Sequence, residues 1–195
     1  MGGSHDEKPH SVLLLIASRE GQTEKIATRI AQHLEEAGHS VGLVDAADSA
    51  ATEAIDLASW DLLVFGASMH AGGLEKELVQ FVNTNAGLIE ARPRSFFLVS
   101  LSAANKDPEQ LAESLADARQ KMQKQLSVTF DDAEMIAGAL VYSRYSLLVK
   151  WVMKRIAAKA GGETDTSRDY EYTDWQQVQH YAERLSSFPK DTRSS

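Results

Sequence analysis

The sequence lacks cysteine altogether, although it is 195 residues long. This absence excludes a disulfide framework, a thiolate metal site and a dithiol redox centre. Any redox chemistry would therefore need a bound cofactor. Long apolar runs are missing too: no stretch approaches the roughly 18 to 20 apolar residues of a membrane-spanning helix. The first ten residues hold no apolar run of the kind seen in secretory signals. We expect a cytoplasmic protein that could still touch a membrane surface.

Positive charge is also in short supply. The formal net charge is −8, because 28 acidic side chains outnumber 20 basic ones, and this balance argues against nonspecific nucleic-acid binding. The apolar fraction of 43% and the charged fraction of 25% are ordinary for a globular protein, and the chain is long enough to bury a sizeable core. We expect one domain over 11–188, between disordered tails at 1–10 and 189–195.

Short apolar runs alternate along the chain with amphipathic stretches. The runs at 12–17, 41–44, 61–67, 95–101 and 135–140 are predicted to be strands, and the stretches at 23–37, 74–82, 108–125 and 174–185 are predicted to form or begin helices. Gly38 stands where the first helix should be capped. Because polar residues do not alternate with apolar ones in these runs, they indicate an α/β domain whose parallel sheet is covered by helices on both faces.

The loop between the first strand and the first helix has the composition of an anion site. It contains Ser18, Arg19, Glu20, Gly21, Gln22 and Thr23. Ligands of open α/β sheets gather at the carboxyl ends of the strands, and a helix N-terminus there offers unpaired N–H groups to a phosphate. The loop has neither the dinucleotide pattern G-x-G-x-x-G nor the pattern G-x-x-x-x-G-K that marks nucleoside triphosphate sites. One glycine with several hydroxyls suits a single terminal phosphate, such as that of flavin mononucleotide (FMN). The same residues would also suit a turn in which Ser and Thr only cap the helix.

Two further loops follow the third and fourth predicted strands at the same edge of the sheet. One contains Ser68, Met69, His70, Ala71, Gly72 and Gly73, and the other contains Ser102, Ala103, Ala104 and Asn105. Both are small and polar, so their backbone could approach a flat ring closely. N–H groups of Gly72 and Gly73 could face the pyrimidine edge of a flavin, where reduction places negative charge. His70 is the candidate catalytic residue because it could stack on the ring or move a proton, although a lone histidine is also an ordinary loop residue.

The segment 141–173 separates the fifth predicted strand from the last helix. Its residues 141–160 carry five basic side chains and no acidic one, and apolar residues recur there at helical spacing. A basic amphipathic helix suits an anionic substrate or an anionic membrane surface. The candidate contacts are Arg144, Lys150, Trp151, Lys154 and Arg155. The alternative is a helix that packs on the domain and leaves its basic face in solvent. Thr173 and Gln176 then have the spacing of a capping box for the last helix.

Six motifs appear in the order found in one known family. They are Ser18–Thr23, Gly66–Ser68, Ala137–Leu140, Tyr142-x-Arg144-Tyr145, Gly161–Thr166 and Tyr172–Trp175. Together they resemble the flavodoxin-like, quinone-dependent protoporphyrinogen IX dehydrogenases of haem biosynthesis. The resemblance covers nearly the whole chain from Val12 to about Leu185, and its late motifs are the more specific ones.

The resemblance implies a flavodoxin-like fold with a five-stranded parallel sheet in the order 2-1-3-4-5 and an inserted basic helix before the last helix. It also implies tightly bound FMN and oxidation of protoporphyrinogen IX to protoporphyrin IX, with two-electron dehydrogenation by the flavin as the favoured step. Electrons would pass to a respiratory quinone at the inner face of the cytoplasmic membrane. The loop Met69–Gly72 and the region 102–130 depart from the family's pattern. Two other functions stay open: an electron carrier for a protein partner, and a general quinone reductase with a nicotinamide donor. Assembly into a homo-oligomer also stays open.

Overall fold

The computed structural model describes residues 9–70, 73–105, 107–140, 167 and 169–188. The strands are β1 (Ser11–Ala17), β2 (Ser40–Asp45), β3 (Leu62–Ser68), β4 (Arg94–Ser100), β5 (Asp132–Ala137), β6 (Ala139–Leu140) and β7 (Tyr170–Glu171). The helices are α1 (Gln22–Glu36), α2 (Ser49–Glu53), α3 (Lys76–Thr84), α4 (Ala86–Glu90), α5 (Pro108–Gln125) and α6 (Trp175–Ser186), with 3-10 helices at Leu57–Ser59 and Leu101–Ala104. The predicted alternation of strands and helices is confirmed.

The main sheet has five strands in the order β2-β1-β3-β4-β5, and every pair of neighbours is parallel. This is the flavodoxin-like order, so the predicted fold class is confirmed. The carboxyl ends of the strands are level, because the register pairs Ala17 with Ala67, Ser68 with Val99, and Ser100 with Ala137. A second, two-stranded sheet pairs β6 with β7 in antiparallel fashion.

Helices cover both faces of the main sheet, as predicted. Val12, Leu14 and Ile16 of β1 are buried on one face, where α1 and α6 pack, and Leu13 and Leu15 are buried on the other face, where α3, α4 and α5 pack. Successive residues of one strand are therefore both buried, which explains why the runs are apolar without alternation. Within the described ranges, none of the helices has both the length and the apolar composition that spanning a bilayer requires.

The fifth strand lies earlier in the chain than its apolar pattern predicts. The pattern favours 135–140, whereas β5 covers Asp132–Ala137 and the residues Ala139–Leu140 belong to β6. The acidic side chains of Asp132 and Glu134 form ion pairs with Arg184 of α6. Polar residues are therefore accommodated on this edge strand, and they concealed its first half from a search for apolar runs.

The predicted capping box of the last helix is wrong. Asp174 is the N-cap residue of α6, and its Oδ1 accepts hydrogen bonds from the N–H groups of Gln176 (2.9 Å) and Gln177 (3.3 Å). A carboxylate suits this position because it satisfies free N–H groups and faces the positive end of the helix dipole. Thr173 instead points inward and donates its hydroxyl hydrogen to the carbonyl oxygen of Ala137 (2.7 Å).

The predicted basic helix lies outside the described residues. The same holds for its five candidate contacts: Arg144, Lys150, Trp151, Lys154 and Arg155.

Candidate functional site

The loops after β1, β3 and β4 meet at the carboxyl edge of the main sheet. The chain leaves β1 for the outer strand β2 and then returns to β3 on the other side of β1. Strand order therefore reverses between β1 and β3, and ligands of open α/β sheets bind at such a switch point. The predicted loop 18–23 and the predicted loop 68–73 flank this position.

The loop after β1 leaves the start of α1 open to an anion. Gly21 is the N-cap residue and has φ 91°, a left-handed conformation that favours glycine. Its N–H donates to Ser18 Oγ (3.1 Å), and no side chain caps the helix. The following N–H groups have no acceptor within the helix itself. Aspartate side chains cap α2, α5 and α6, whereas α3 and α4, like α1, have no side-chain cap.

Thr23 supplies the most informative atom of this loop. The residue is 1% exposed, and its Oγ1 has no hydrogen-bond partner among the described residues. A buried hydroxyl without a partner costs about 1–3 kcal/mol, so such atoms are rare unless a ligand satisfies them. Thr23 lies in the first turn of α1, beside the free N–H groups. These donors together fit a phosphate.

Arg19 and Glu20 complete the first loop. Arg19 Nη2 lies 3.0 Å from Glu75 Oε2; the arginine side chain is 61% exposed and the glutamate side chain only 15%. Glu75 directly precedes α3, so this ion pair joins the two loops that flank the switch point. Glu20 is half-buried. Glu75 was not predicted as a site residue, because no local pattern relates it to Arg19.

Backbone hydrogen bonds join the two ends of the loop after β3. His70 and Gly73 exchange two backbone hydrogen bonds of 2.9 Å each, around Ala71 and Gly72, which lie outside the described residues. The ring of His70 is held by a hydrogen bond between its Nε2 and Ser68 Oγ (2.9 Å). Met69 donates its N–H to Val99 of β4 (3.0 Å). His70 is therefore fixed beside the end of β3, and its catalytic role stays a prediction.

The loop after β4 forms the 3-10 helix Leu101–Ala104. Ser102 lies 2.7 Å from Ser100, hydroxyl to hydroxyl, and Asn105 accepts a hydrogen bond from the N–H of Asp107 (3.1 Å). Ser102, Ala103, Ala104 and Asn105 are all half-buried. The structure thus brings the described residues of all three predicted loops to one edge of the sheet.

A fourth segment, Glu171–Trp175, also reaches this edge and was not predicted to do so. Thr173 Oγ1 accepts a hydrogen bond from Gln22 Nε2 (2.8 Å), and Glu171 pairs with Lys25 of α1. Trp175 donates its indole N–H to Glu171 Oε1 (2.7 Å). The contacts join residues that lie far apart in the chain, so no local signal could have revealed them.

Comparisons with known proteins agree with this architecture. A family model described as a flavodoxin domain matches residues 13–167. The chain is 33% identical over 177 residues to the protoporphyrinogen IX dehydrogenase (quinone) of Escherichia coli (strain K12). The aligned region covers 89% of this chain and 93% of that protein. It is 28% identical over 178 residues to a protein of the same name from Leishmania major, over 91% of this chain and 75% of that protein. Among solved structures, rubredoxin oxygen:oxidoreductase from Desulfovibrio gigas matches with a TM-score of 0.50 and 16% identity, over 93% of this chain and 37% of that one, a likeness of fold alone.

Proposed function

The chain belongs to the flavodoxin-domain family of quinone-dependent protoporphyrinogen IX dehydrogenases, and we propose that it oxidises protoporphyrinogen IX to protoporphyrin IX with a quinone as electron acceptor. A flavodoxin-like fold implies a flavin cofactor. When bound, the flavin would accept two electrons at a time from the substrate and deliver them to the quinone, and the full conversion would require successive dehydrogenations of this kind. The protein's task is to hold the flavin and to orient the substrate beside it.

We propose FMN as the form of flavin that is bound. The carrying observation is the open start of α1 at the switch point, where Thr23 Oγ1 is buried without a partner among the described residues. In flavodoxin, whose sheet has this order, FMN binds at the β1/β3 switch point. The loop carries one glycine rather than the three of the dinucleotide pattern, which favours one terminal phosphate over the pyrophosphate of FAD.

Each of the three predicted loops has a distinct role in this proposal. Ser18, Gly21 and Thr23 bind the phosphate through hydroxyls and backbone N–H groups. The loops 68–73 and 102–105 line the position of the ring system. His70, held by Ser68, takes up the proton that the substrate releases.

The basic segment suggests where in the cell the protein acts. We propose that Arg144, Lys150, Trp151, Lys154 and Arg155 bind the anionic substrate or anionic lipid, which would hold the protein at the inner face of the cytoplasmic membrane. Basic residues near such a surface contribute on the order of 1 kcal/mol each. Replacing Lys150, Lys154 and Arg155 with Glu should abolish co-sedimentation with anionic liposomes and leave flavin binding intact. If the variant sediments with liposomes as the original protein does, the proposed membrane binding is contradicted.

The decisive experiment is anaerobic mixing of oxidised, FMN-loaded protein with protoporphyrinogen IX. Bleaching of the flavin absorbance, followed by its recovery when quinone is added, is the expected result. Chromatography of the cofactor released by denaturation should identify FMN rather than FAD. Flavin that is not bleached by the porphyrinogen but is reduced by a nicotinamide donor would instead indicate the general quinone reductase.

A further inference from the structure

The segment Glu171–Trp175 contacts the first turn of α1 from a distant part of the chain. Thr173 is 9% exposed, and its hydroxyl forms two hydrogen bonds: it donates to the carbonyl oxygen of Ala137 (2.7 Å) and accepts from Gln22 Nε2 (2.8 Å). A hydroxyl has a single hydrogen. Because that hydrogen goes to Ala137, Gln22 must present its amide N–H₂ to Thr173, and the orientation of its side chain is fixed.

This arrangement joins two elements at opposite ends of the site. Ala137 is the last residue of β5, and Gln22 is the first residue of α1, directly after the left-handed Gly21. β3 and β4 lie between β1 and β5 in the sheet. Thr173 therefore ties the start of the phosphate-facing helix to the far end of the sheet edge.

A second contact holds the same side of α1. Lys25 is one turn after Gln22 and pairs with Glu171, and its Nζ also lies 5.0 Å from the ring centroid of Trp175. Trp175 in turn donates its indole N–H to Glu171 (2.7 Å). The first turn of α1 is thus held at two positions by one short segment.

The open start of α1 explains why such support would matter. No side chain caps this helix, and Gly21 has more conformational freedom than other residues. An anion binds well to backbone N–H groups only when they are already oriented toward it. The contacts of Gln22 and Lys25 restrict this turn without using any of its N–H groups.

We propose that Thr173 is a positioning residue for the flavin phosphate: through Gln22 it holds the N–H groups that follow Gly21 in the orientation that binds the phosphate. The inference rests on the proposed function, since it needs a flavin phosphate at this loop. Thr173 is the last residue of the segment 141–173. The proposal therefore adds a residue of that segment to a site that the loops after β1, β3 and β4 otherwise form.

The test compares FMN with riboflavin, which has the same ring system but no phosphate, in the full-length protein. Thr173→Val keeps the side-chain shape and removes both hydrogen bonds. It should weaken FMN binding by about tenfold, as expected for the loss of one or two hydrogen bonds, and leave riboflavin binding essentially unchanged. Both affinities are measured by flavin fluorescence titration of the apoprotein.

Three further variants separate positioning from general damage to the fold. Thr173→Ser retains the hydroxyl and should restore FMN affinity. Gln22→Met removes only the contact to Thr173 and should weaken FMN selectively, which keeps the test valid if Thr173→Val folds poorly. Thr28→Val, at an exposed position of α1, is the matched control and should bind FMN normally.

Equal losses for FMN and riboflavin in Thr173→Val and Gln22→Met would overturn the proposal, because they would indicate a structural role only. Unchanged FMN affinity in both variants would overturn it as well. Failure of the unmodified protein to bind FMN is a different result: it would refute the proposed function, and this inference with it.

Discussion

The amino ends of the strands form one edge of the main sheet and the carboxyl ends form the other. These two edges differ in how their polar groups are satisfied. At the amino edge, charged and polar side chains pair with one another or with the backbone. At the carboxyl edge, the start of α1 is uncapped, and Thr23 Oγ1 is buried without a partner in the described part of the chain. The first arrangement stabilises the fold, and the second leaves donors for a ligand.

Arg94 is an example of a polar side chain at the amino edge whose hydrogen bonds are satisfied within the protein. Its side chain is 9% exposed and donates to the carbonyl oxygens of Thr129, Glu90 (3.1 Å) and Arg92 (2.9 Å), while Asp131 lies 3.7 Å away. One side chain thereby joins the end of α4, the start of β4 and the chain that leads into β5. These groups satisfy each other within the fold.

The first residues of the sheet show the same pattern. Asp61 accepts hydrogen bonds from the N–H of Ser11 (2.8 Å) and from its hydroxyl (3.1 Å), which fixes the start of β1 beside β3. His39, just after α1, accepts from the N–H of His10 (3.0 Å) and contacts Ser186 of α6 through its other nitrogen (2.7 Å). Substitutions at this edge should therefore change stability, and substitutions at the other edge should change ligand binding.

The sharpest test of this difference uses the two ends of α1. Gly21 and Gly38 have nearly the same left-handed backbone, with φ 91° and 92°, but they lie at opposite edges of the sheet. Gly21→Val should weaken FMN binding by about a thousandfold or more, about 4 kcal/mol, because it adds backbone strain and obstructs the phosphate.

Gly38→Val is the matched control for that substitution. It should cost a similar backbone strain of about 1–2 kcal/mol in unfolding free energy, and leave FMN affinity unchanged. Flavin titration and urea unfolding of both variants provide the measurements. Equal FMN affinities in the two variants would place the phosphate elsewhere.

At the amino edge, Arg94→Met should have a large effect on stability alone. It leaves three backbone carbonyls and Asp131 without their cation, and we expect the free energy of unfolding to fall by about 3 kcal/mol. FMN affinity of the folded protein should not change. Arg119→Met is the control, since Arg119 is exposed and makes one long hydrogen bond of 3.4 Å. A selective loss of FMN binding in Arg94→Met would contradict the division between the edges.

Smaller effects are expected at Thr23, where a substitution should raise the stability of the flavin-free protein and weaken FMN binding. Thr23→Val replaces the unpartnered hydroxyl with a methyl group of the same shape. The flavin-free protein should gain about 1 kcal/mol of stability, while FMN affinity should fall by about tenfold. Thermal unfolding without flavin and titration with FMN measure the two quantities. Destabilisation of the flavin-free protein would mean that the hydroxyl already has a partner.

The smallest effect concerns Tyr181, which contacts the beginning of β4, at the end of the strands away from the site. Its hydroxyl lies 2.6 Å from Ser95 Oγ, and burial raises the pKa of the Tyr181 phenol far above its ordinary value. Tyr181→Phe should cost about 1 kcal/mol at pH 7 through the lost hydrogen bond.

The pH dependence of that cost follows from the raised pKa. Below about pH 10 the phenol is protonated in both the folded and the unfolded protein. At higher pH the unfolded chain releases the proton and the folded protein retains it, so stability declines as pH rises. The variant lacks this contribution, and the difference between the two proteins in urea unfolding should shrink from pH 7 to pH 11. A constant difference would argue against the raised pKa.

Local patterns predicted the strands and the main loops well, and they failed where long-range contacts decide. The stretch 108–125 was predicted as a helix and matches α5. The first half of β5 was missed because Asp132 and Glu134 look unlike a buried strand until Arg184 is placed beside them. The capping pattern predicts the wrong hydrogen bonds for Thr173, because a local pattern cannot show that the carbonyl oxygen of Ala137 lies beside this side chain in the folded protein.

The sequence by itself determined the order of strands and helices and the identity of the loop 18–23, because periodicity, glycine and hydroxyl residues act over a few neighbouring positions. The tertiary structure decided which groups of that loop remain free. The Arg19–Glu75 pair joins residues 56 positions apart, and the Gln22–Thr173 hydrogen bond joins residues 151 positions apart. Partners at such distances meet only when the sheet brings the strand ends together, and only then does Thr23 Oγ1 emerge as a buried hydroxyl without a partner among the described residues.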